Sequence, residues 1–114
     1  MTEPQQLAEA YFTAWKSKDF TTFRSLLADE ATFVGPMGQA RNADECVQGI
    51  QRLAETTKDI VILKMFVNGP DVLTWYELHT VGGQVLPTAN WSHTQAGKIT
   101  EIRAVFDPRP LFEA

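Results

Sequence analysis

Disulfide bonding is closed to this chain, because its 114 residues include one cysteine, Cys46. An internal bridge needs two, so the fold must rest on its core, and a reducing, cytoplasmic setting is the expectation. Cationic charge is also short. Ten Lys and Arg face fourteen Asp and Glu, for a formal net charge of −4. A nucleic-acid binder needs a basic stripe, so no nucleic-acid partner is expected. No block of like charge forms an acidic tail or a basic arm. The apolar stretches fall far short of the roughly 20 residues that cross a bilayer, so no membrane partner is expected. The start, Thr2-Glu3-Pro4-Gln5, lacks the basic and apolar regions of a signal peptide. There is no Cys/His spacing for zinc and no glycine-rich phosphate loop, so neither metal nor cofactor is implied.

Aromatic residues are well represented, at 11% of the chain, and the length fits one domain over residues 1–114 with a single core. Thr2 with Gln5 three residues on reads as a capping box, and Pro4 suits a first helical turn. Leu7, Tyr11, Ala14 and Trp15 recur at helical spacing, widened by Ala8 and Phe12, which predicts a helix over about Glu3 to Ser17. Asp19 caps a short second helix with Phe20, Phe23, Leu26 and Leu27 on its buried face. Ala31 to Val34 reads as a short strand, broken by Gly35-Pro36-Met37-Gly38. Asn42 with Glu45 is a second capping box, opening a third helix striped by Val47, Ile50, Leu53 and Ala54.

The remainder reads as strand. Asp59 to Val67 is followed by the turn Asn68-Gly69-Pro70-Asp71, then Val72 to Val81, then Gly82-Gly83, then Val85 to Thr94. Pro87 requires an edge, a bulge or a strand start. An Ala-Gly-Lys turn leads into a last strand in which Ile102, Ala104 and Phe106 alternate with Glu101, Arg103 and Asp107. Helices first and a strand meander last suggest an α+β fold, a sheet curled around the helices with a pocket between.

Four segments carry a family resemblance: Tyr11 to Asp19, Leu27 to Phe33, Gly35-Pro36-Met37-Gly38, and Gly97-Lys98-Ile99 leading to Phe106-Asp107. Along its whole length the chain resembles the nuclear transport factor 2-like (NTF2-like) superfamily, in its SnoaL-like branch. That superfamily also holds ketosteroid isomerases, limonene epoxide hydrolases and polyketide cyclases. The resemblance implies a cone-shaped, curved antiparallel sheet wrapped around the N-terminal helices, also described as a cystatin-like α+β barrel. It implies an apolar cavity at the wide end and a homodimer formed through the outer face of the sheet. Ketosteroid isomerases place a tyrosine on the first helix, where Tyr11 stands. Their carboxylate base precedes the proline after the first strand, where this chain has Gly35, which speaks against classical steroid isomerisation. Their protonated aspartic acid lies on the penultimate strand. Asn90 matches the aspartate found seven residues before the Gly-Lys turn in many SnoaL-like domains. The Asp-Arg-Asp triad of limonene epoxide hydrolases is not evident, since alternation turns Arg103 away from the cavity.

Strand parity extends the site. If Gly82-Gly83 is a two-residue turn, Glu77 lies opposite Thr88 and Trp75 opposite Asn90, so Trp75, Glu77, His79 and Asn90 share one side. A bulge at Pro87 would change that register. Glu77 beside His79 could act as a general base, or the pair could simply be solvated on the outer sheet. Tyr11 and Asn90 could donate to a ligand oxygen, or satisfy buried neighbours. The site expected is therefore Glu77, His79, Tyr11 and Asn90, lined by Trp15, Phe33, Met37, Trp75, Ile102 and Phe106. His93 is expected on the outer side and Cys46 in packing. The activity expected is cofactor-free proton transfer, of an isomerase, cyclase or hydrolase kind, on a small hydrophobic carbonyl, epoxide or polyketide-like compound. The alternative is a non-catalytic binding or protein-interaction module. A homodimer is expected through an outer face carrying Trp91, Val105 and Tyr76.

Overall fold

The computed structural model describes residues 3–112. Helix α1 spans Glu3–Ser17 and buries Ala8, Tyr11, Phe12, Ala14 and Trp15, the stripe that its 3.6-residue period aligns. The cap expected at Thr2 lies outside the described residues. The helix stops where Lys18 turns left-handed, at φ +59°. There the Lys18 and Asp19 N–H groups donate to the carbonyls of Trp15 and Ala14 at 3.1 and 2.9 Å, satisfying carbonyls that the helix leaves over. Asp19 then caps α2, Phe20–Ser25, accepting from the Thr22 N–H at 3.1 Å. Helix α3 spans Ala43–Thr56, and Asn42 Oδ1 accepts from the Glu45 N–H at 2.9 Å. The Glu45 carboxylate reaches back to the Arg41 N–H at 2.9 Å, one residue earlier than a regular capping box.

Six strands form one curved, open sheet in the order β2-β1-β6-β5-β4-β3. They are β1 Leu27–Gly35, β2 Gly38–Ala40, β3 Thr57–Asn68, β4 Asp71–Thr80, β5 Val85–Gln95 and β6 Lys98–Val105. Strand β1 starts earlier than the sequence suggests: Leu27 belongs to it rather than to α2, and β2 had no sequence signal of its own. The meander β3 to β6 is antiparallel throughout, but β1 lies parallel to β6. The sheet is therefore mixed rather than wholly antiparallel. After β1 the chain crosses through α3 before the meander begins, and the meander's last strand returns beside β1. The helices cover the inner face, where Trp15, Phe23, Leu78, Leu86, Ile99 and Ile102 are among the largest fully buried side chains. Each large apolar group so buried contributes about 1.5–3 kcal/mol before entropy is counted.

The hairpin loops set which residues face inward. Ala96 and Gly97 join β5 to β6, both at positive φ (+51° and +76°), which matches a two-residue turn whose twist suits the strands. Between β4 and β5 the loop has three residues, Val81-Gly82-Gly83, because Thr80 pairs with Gln84. The register is then Thr74 opposite Asn90, Tyr76 opposite Thr88 and Glu77 opposite Pro87. That is one residue away from the pairing expected of a two-residue turn, and a one-residue slip exchanges the two faces of a strand. Pro87 fits because β6 ends at Val105, opposite Ala89, leaving β5 a neighbour on one side only at that point.

Candidate functional site

On β4 the inward side chains are Val72, Thr74, Tyr76, Leu78 and Thr80, and on β5 they are Leu86, Thr88, Asn90, Ser92 and Thr94. The two rows put a stripe of hydroxyl and amide groups on the covered face of the sheet. Tyr11 reaches this stripe from α1. Its ring lies 4.8 Å from that of Phe23 and 5.0 Å from that of Phe12, and Phe12 in turn lies 4.9 Å from Tyr76. Burial raises the Tyr11 phenol far above its usual range, and Tyr76 adds to the rise; a hydrogen bond from Asn90 works the other way. Burial likewise raises Tyr76, offset by hydrogen bonds with Asn90 and Thr88. Asn90 is thus the polar neighbour shared by both phenols. An amide with two donors and an acceptor beside two neutral hydroxyls can bind a carbonyl or hydroxyl oxygen.

Tyr11 and Asn90 therefore meet, but Glu77, His79 and Trp75 do not join them. The three-residue loop turns that side of β4 outward, so Trp75 is 42% exposed, and the Glu77 and His79 side chains are 36% and 33% exposed. Glu77 and His79 do form a pair, His79 Nε2 donating to Glu77 Oε1 at 3.1 Å, on the outer surface. Asp59 is the β3 residue opposite His79, and it holds Lys16 at 2.6 Å. A second outer pair joins His93 Nδ1 to Asp71 Oδ1 at 2.7 Å, with the Trp91 indole N–H donating to the same oxygen at 3.0 Å. The His93 bond foremost, with the Trp91 bond, holds the Asp71 carboxyl below the ordinary carboxylate range. Arg103 also faces outward, beside Glu101, His93 and Thr32 in a surface hollow of about 440 Å³.

The expected lining divides in the same way. Ile102 is buried between Phe33 and Ser92, its neighbours on β1 and β5. Phe33 and Phe106 are half-buried and pack on the core. Trp15 is wholly core: it lies 6.2 Å from both Phe12 and Tyr76, and its indole N–H donates to Thr57 Oγ1 at 3.3 Å. Met37 sits in the β1–β2 turn and is 53% exposed, because Gly35 already pairs with Gly38 and leaves only Pro36 and Met37 to close the hairpin. Tyr76, expected on the outer face, is 3% exposed and inside. At Gly35 an added Cβ would meet the Phe33 ring at 2.9 Å, so that ring occupies the space a base at this position would need. Cys46 is buried as expected, its Sγ 3.6 Å from the Ala31 carbonyl, and burial, then Glu45, pushes its thiol up to about 11.

Tyr76, Thr74, Thr80, Thr88, Ser92 and Thr94 are inward polar residues that sequence reasoning passed over. A signal for them existed: the Thr74-Tyr76-Leu78-Thr80 side of β4 has no charged member, whereas the other side carries Asp71, Glu77 and His79. Among the described residues no Asp, Glu or His is buried. Also among them, no three such groups or cysteines are placed to hold a metal, and no helix is long and apolar enough to cross a membrane.

Similar structures share the whole architecture. An NTF2-like protein of unknown function from Cytophaga hutchinsonii is 29% identical, with a TM-score of 0.86 over 96% of this chain and 95% of that one. An epoxide hydrolase of M. tuberculosis, described as LEH-like, is 21% identical, with a TM-score of 0.81 over 96% and 86%. A de novo designed protein with a curved β-sheet is 17% identical and reaches 0.85 over 96% and 90%. A likeness shared by an epoxide hydrolase and a designed protein carries the fold and no activity. No functionally curated protein matches the chain. The SnoaL-like domain profile matches residues 8–102, most of the length over which helices and curved sheet form the inner stripe, and the chain belongs to the SnoaL-like domain family.

Proposed function

We propose that the covered face of the sheet is a small-molecule site, and that the protein binds a compact, largely apolar compound through one carbonyl or hydroxyl oxygen. One observation carries this reading: Tyr76 and Asn90 lie on the buried side of neighbouring strands, and Tyr11 is buried against them from α1 through Phe12. Tyr11 and Asn90 would hold the oxygen, with Ile102, Phe33 and Phe106 against the apolar body. Binding comes before catalysis here because proton transfer needs a base, and the described interior has no carboxylate or imidazole to serve as one. An isomerase, cyclase or hydrolase reading would keep Tyr11 and Asn90 as donors to developing negative charge and draw its base from the ligand or from water. The outer face supports a second role, contact between two copies. Phe66, Leu73, Trp75 and Val105, exposed by 60, 45, 42 and 71%, form with Ala89 and Trp91 a continuous apolar band across four strands.

The test is a calorimetric titration with a panel of aryl ketones and phenols. Tyr11→Phe and Asn90→Leu should each weaken the best binder about two- to tenfold, the worth of one hydrogen bond. Glu77→Gln and His79→Ala should leave it unchanged. Binding that follows the outer pair and ignores Tyr11 and Asn90 would overturn the proposal.

A further inference from the structure

After β6 the chain does not leave the body of the protein. Phe106 continues the inward alternation of Ile102 and Ala104 and is half-buried against the core. A 3-10 turn, Arg109–Leu111, follows, and Leu111 also packs on the core. The register locates this segment relative to the inner stripe. Ala89 pairs with Val105, the last residue of β6, and Phe106 follows it at the end of the sheet where Thr88 lies one residue before Ala89. Thr88 is the β5 residue directly opposite Tyr76. Phe106 therefore leaves the sheet at the Thr88 end of the Tyr11–Tyr76–Asn90 group, and the turn carrying Leu111 follows it.

What fastens this segment is small. Asp107 and Arg109 bond to each other, at 2.7 Å between Arg109 Nη2 and Asp107 Oδ2, and among the described residues to no other element. Among the described residues, one hydrogen bond ties the turn to the sheet: the Gln84 side-chain N–H donates to the Pro110 carbonyl at 3.4 Å. Gln84 is itself held. Its carbonyl oxygen accepts from the Thr80 hydroxyl, and its backbone N–H donates to that same hydroxyl at 3.1 Å. The loop is shaped around this amide, since a Cβ at Gly82 would lie 2.7 Å from the Gln84 side-chain oxygen. A segment with two apolar anchors and one tether opens far more readily than the sheet beneath it.

We propose that residues 106–112 form a strap over the end of the cone, latched by Gln84, and that its release is the route by which a ligand reaches the inner stripe. This rests on reading that stripe as the ligand site, but the opening itself is measurable without any ligand. The reporter is Thr88→Cys in a Cys46→Ala background, labelled with a methanethiosulfonate reagent. Thr88 is 1% exposed, so labelling follows opening. Adding Gln84→Ala should speed labelling about fivefold, the factor one net hydrogen bond supplies, and Leu111→Ala should speed it more. Thr94→Val is the control. It removes a comparable clasp, the 3.0 Å bond from Thr94 Oγ1 to the Pro70 carbonyl at the opposite end of the sheet, and should leave the rate unchanged. Equal rates with and without Gln84 and Leu111, or an equal acceleration by Thr94→Val, would overturn the strap. Because no ligand enters the measurement, such a failure leaves the binding proposal standing, whereas a failed ketone and phenol titration removes the strap's role as a ligand route and leaves its opening.

Discussion

Alkaline titration puts the dryness of the inner stripe to a direct test. The chain has two tyrosines, Tyr11 and Tyr76, and both are buried with their phenols raised above the ordinary value of about 10. In the unfolded chain both release their protons above about pH 10; in the folded chain they do not. The unfolded state then binds fewer protons, so stability is intact below about pH 10 and falls as pH rises beyond it. Each phenol contributes a slope of about 1.4 kcal/mol per pH unit, so the pair removes roughly 5 kcal/mol between pH 10 and pH 12. Cys46 adds a loss of the same sign, beginning above the usual thiol range and ending once pH passes about 11. Total stability for a domain of this size is about 5–15 kcal/mol, so unfolding near pH 12 is the expected outcome. The assay follows tyrosinate absorbance and far-ultraviolet circular dichroism together. Both phenols should stay silent in the native protein and appear in one step as ellipticity is lost. Urea unfolding at a series of alkaline pH values supplies the slope, and Tyr11→Phe should remove one of the two phenol contributions. Tyrosinate absorbance rising around pH 10 with the circular dichroism still native would refute the reasoning, because it would mean that water reaches the phenols freely.

Ala96 holds a left-handed conformation at φ +51°, which costs a residue with a Cβ about 1–2 kcal/mol. Ala96→Gly should therefore stabilise the fold by roughly 0.5–1 kcal/mol after the entropy of the unfolded glycine is counted, read as a melting temperature higher by about 3–5 °C. No gain would mean the β5–β6 turn is not strained. Leu73→Lys puts a charge near the centre of the outer apolar band without touching the inner face. If that band joins two copies, light scattering should find a dimer for the parent and a monomer for the variant, with similar thermal melts; a monomeric parent would end the dimer proposal.

Local structure was legible because its causes are local. The boundaries of α1, the Asp19 and Asn42 caps and the Asn68–Asp71 and Ala96–Gly97 turns depend on residues a few positions apart, and each lies where the sequence indicated. The resemblance to SnoaL-like domains added the global shape, which no single segment encodes. The site was legible only in part. Tyr11 could be placed because a helical stripe has a single buried side, fixed by its own apolar residues.

Strands gave no such certainty. Period-two alternation determines which residues share a face; it does not say which face is covered. In β4 both sets include bulky apolar groups, Tyr76 and Leu78 on one side, Leu73 and Trp75 on the other. The decision fell to the β4–β5 connection, where Val81 joins Gly82 and Gly83 in the loop and shifts every pairing by one. That single residue sends Glu77 and His79 to the outer surface and brings Tyr76 and Thr88 to Asn90. Apart from β2 and the start of β1, sequence alone therefore determined the elements, their order and the sets of residues that travel together. The tertiary structure decided which of those sets the helices cover, because burial is settled by what packs against a face and not by the face itself.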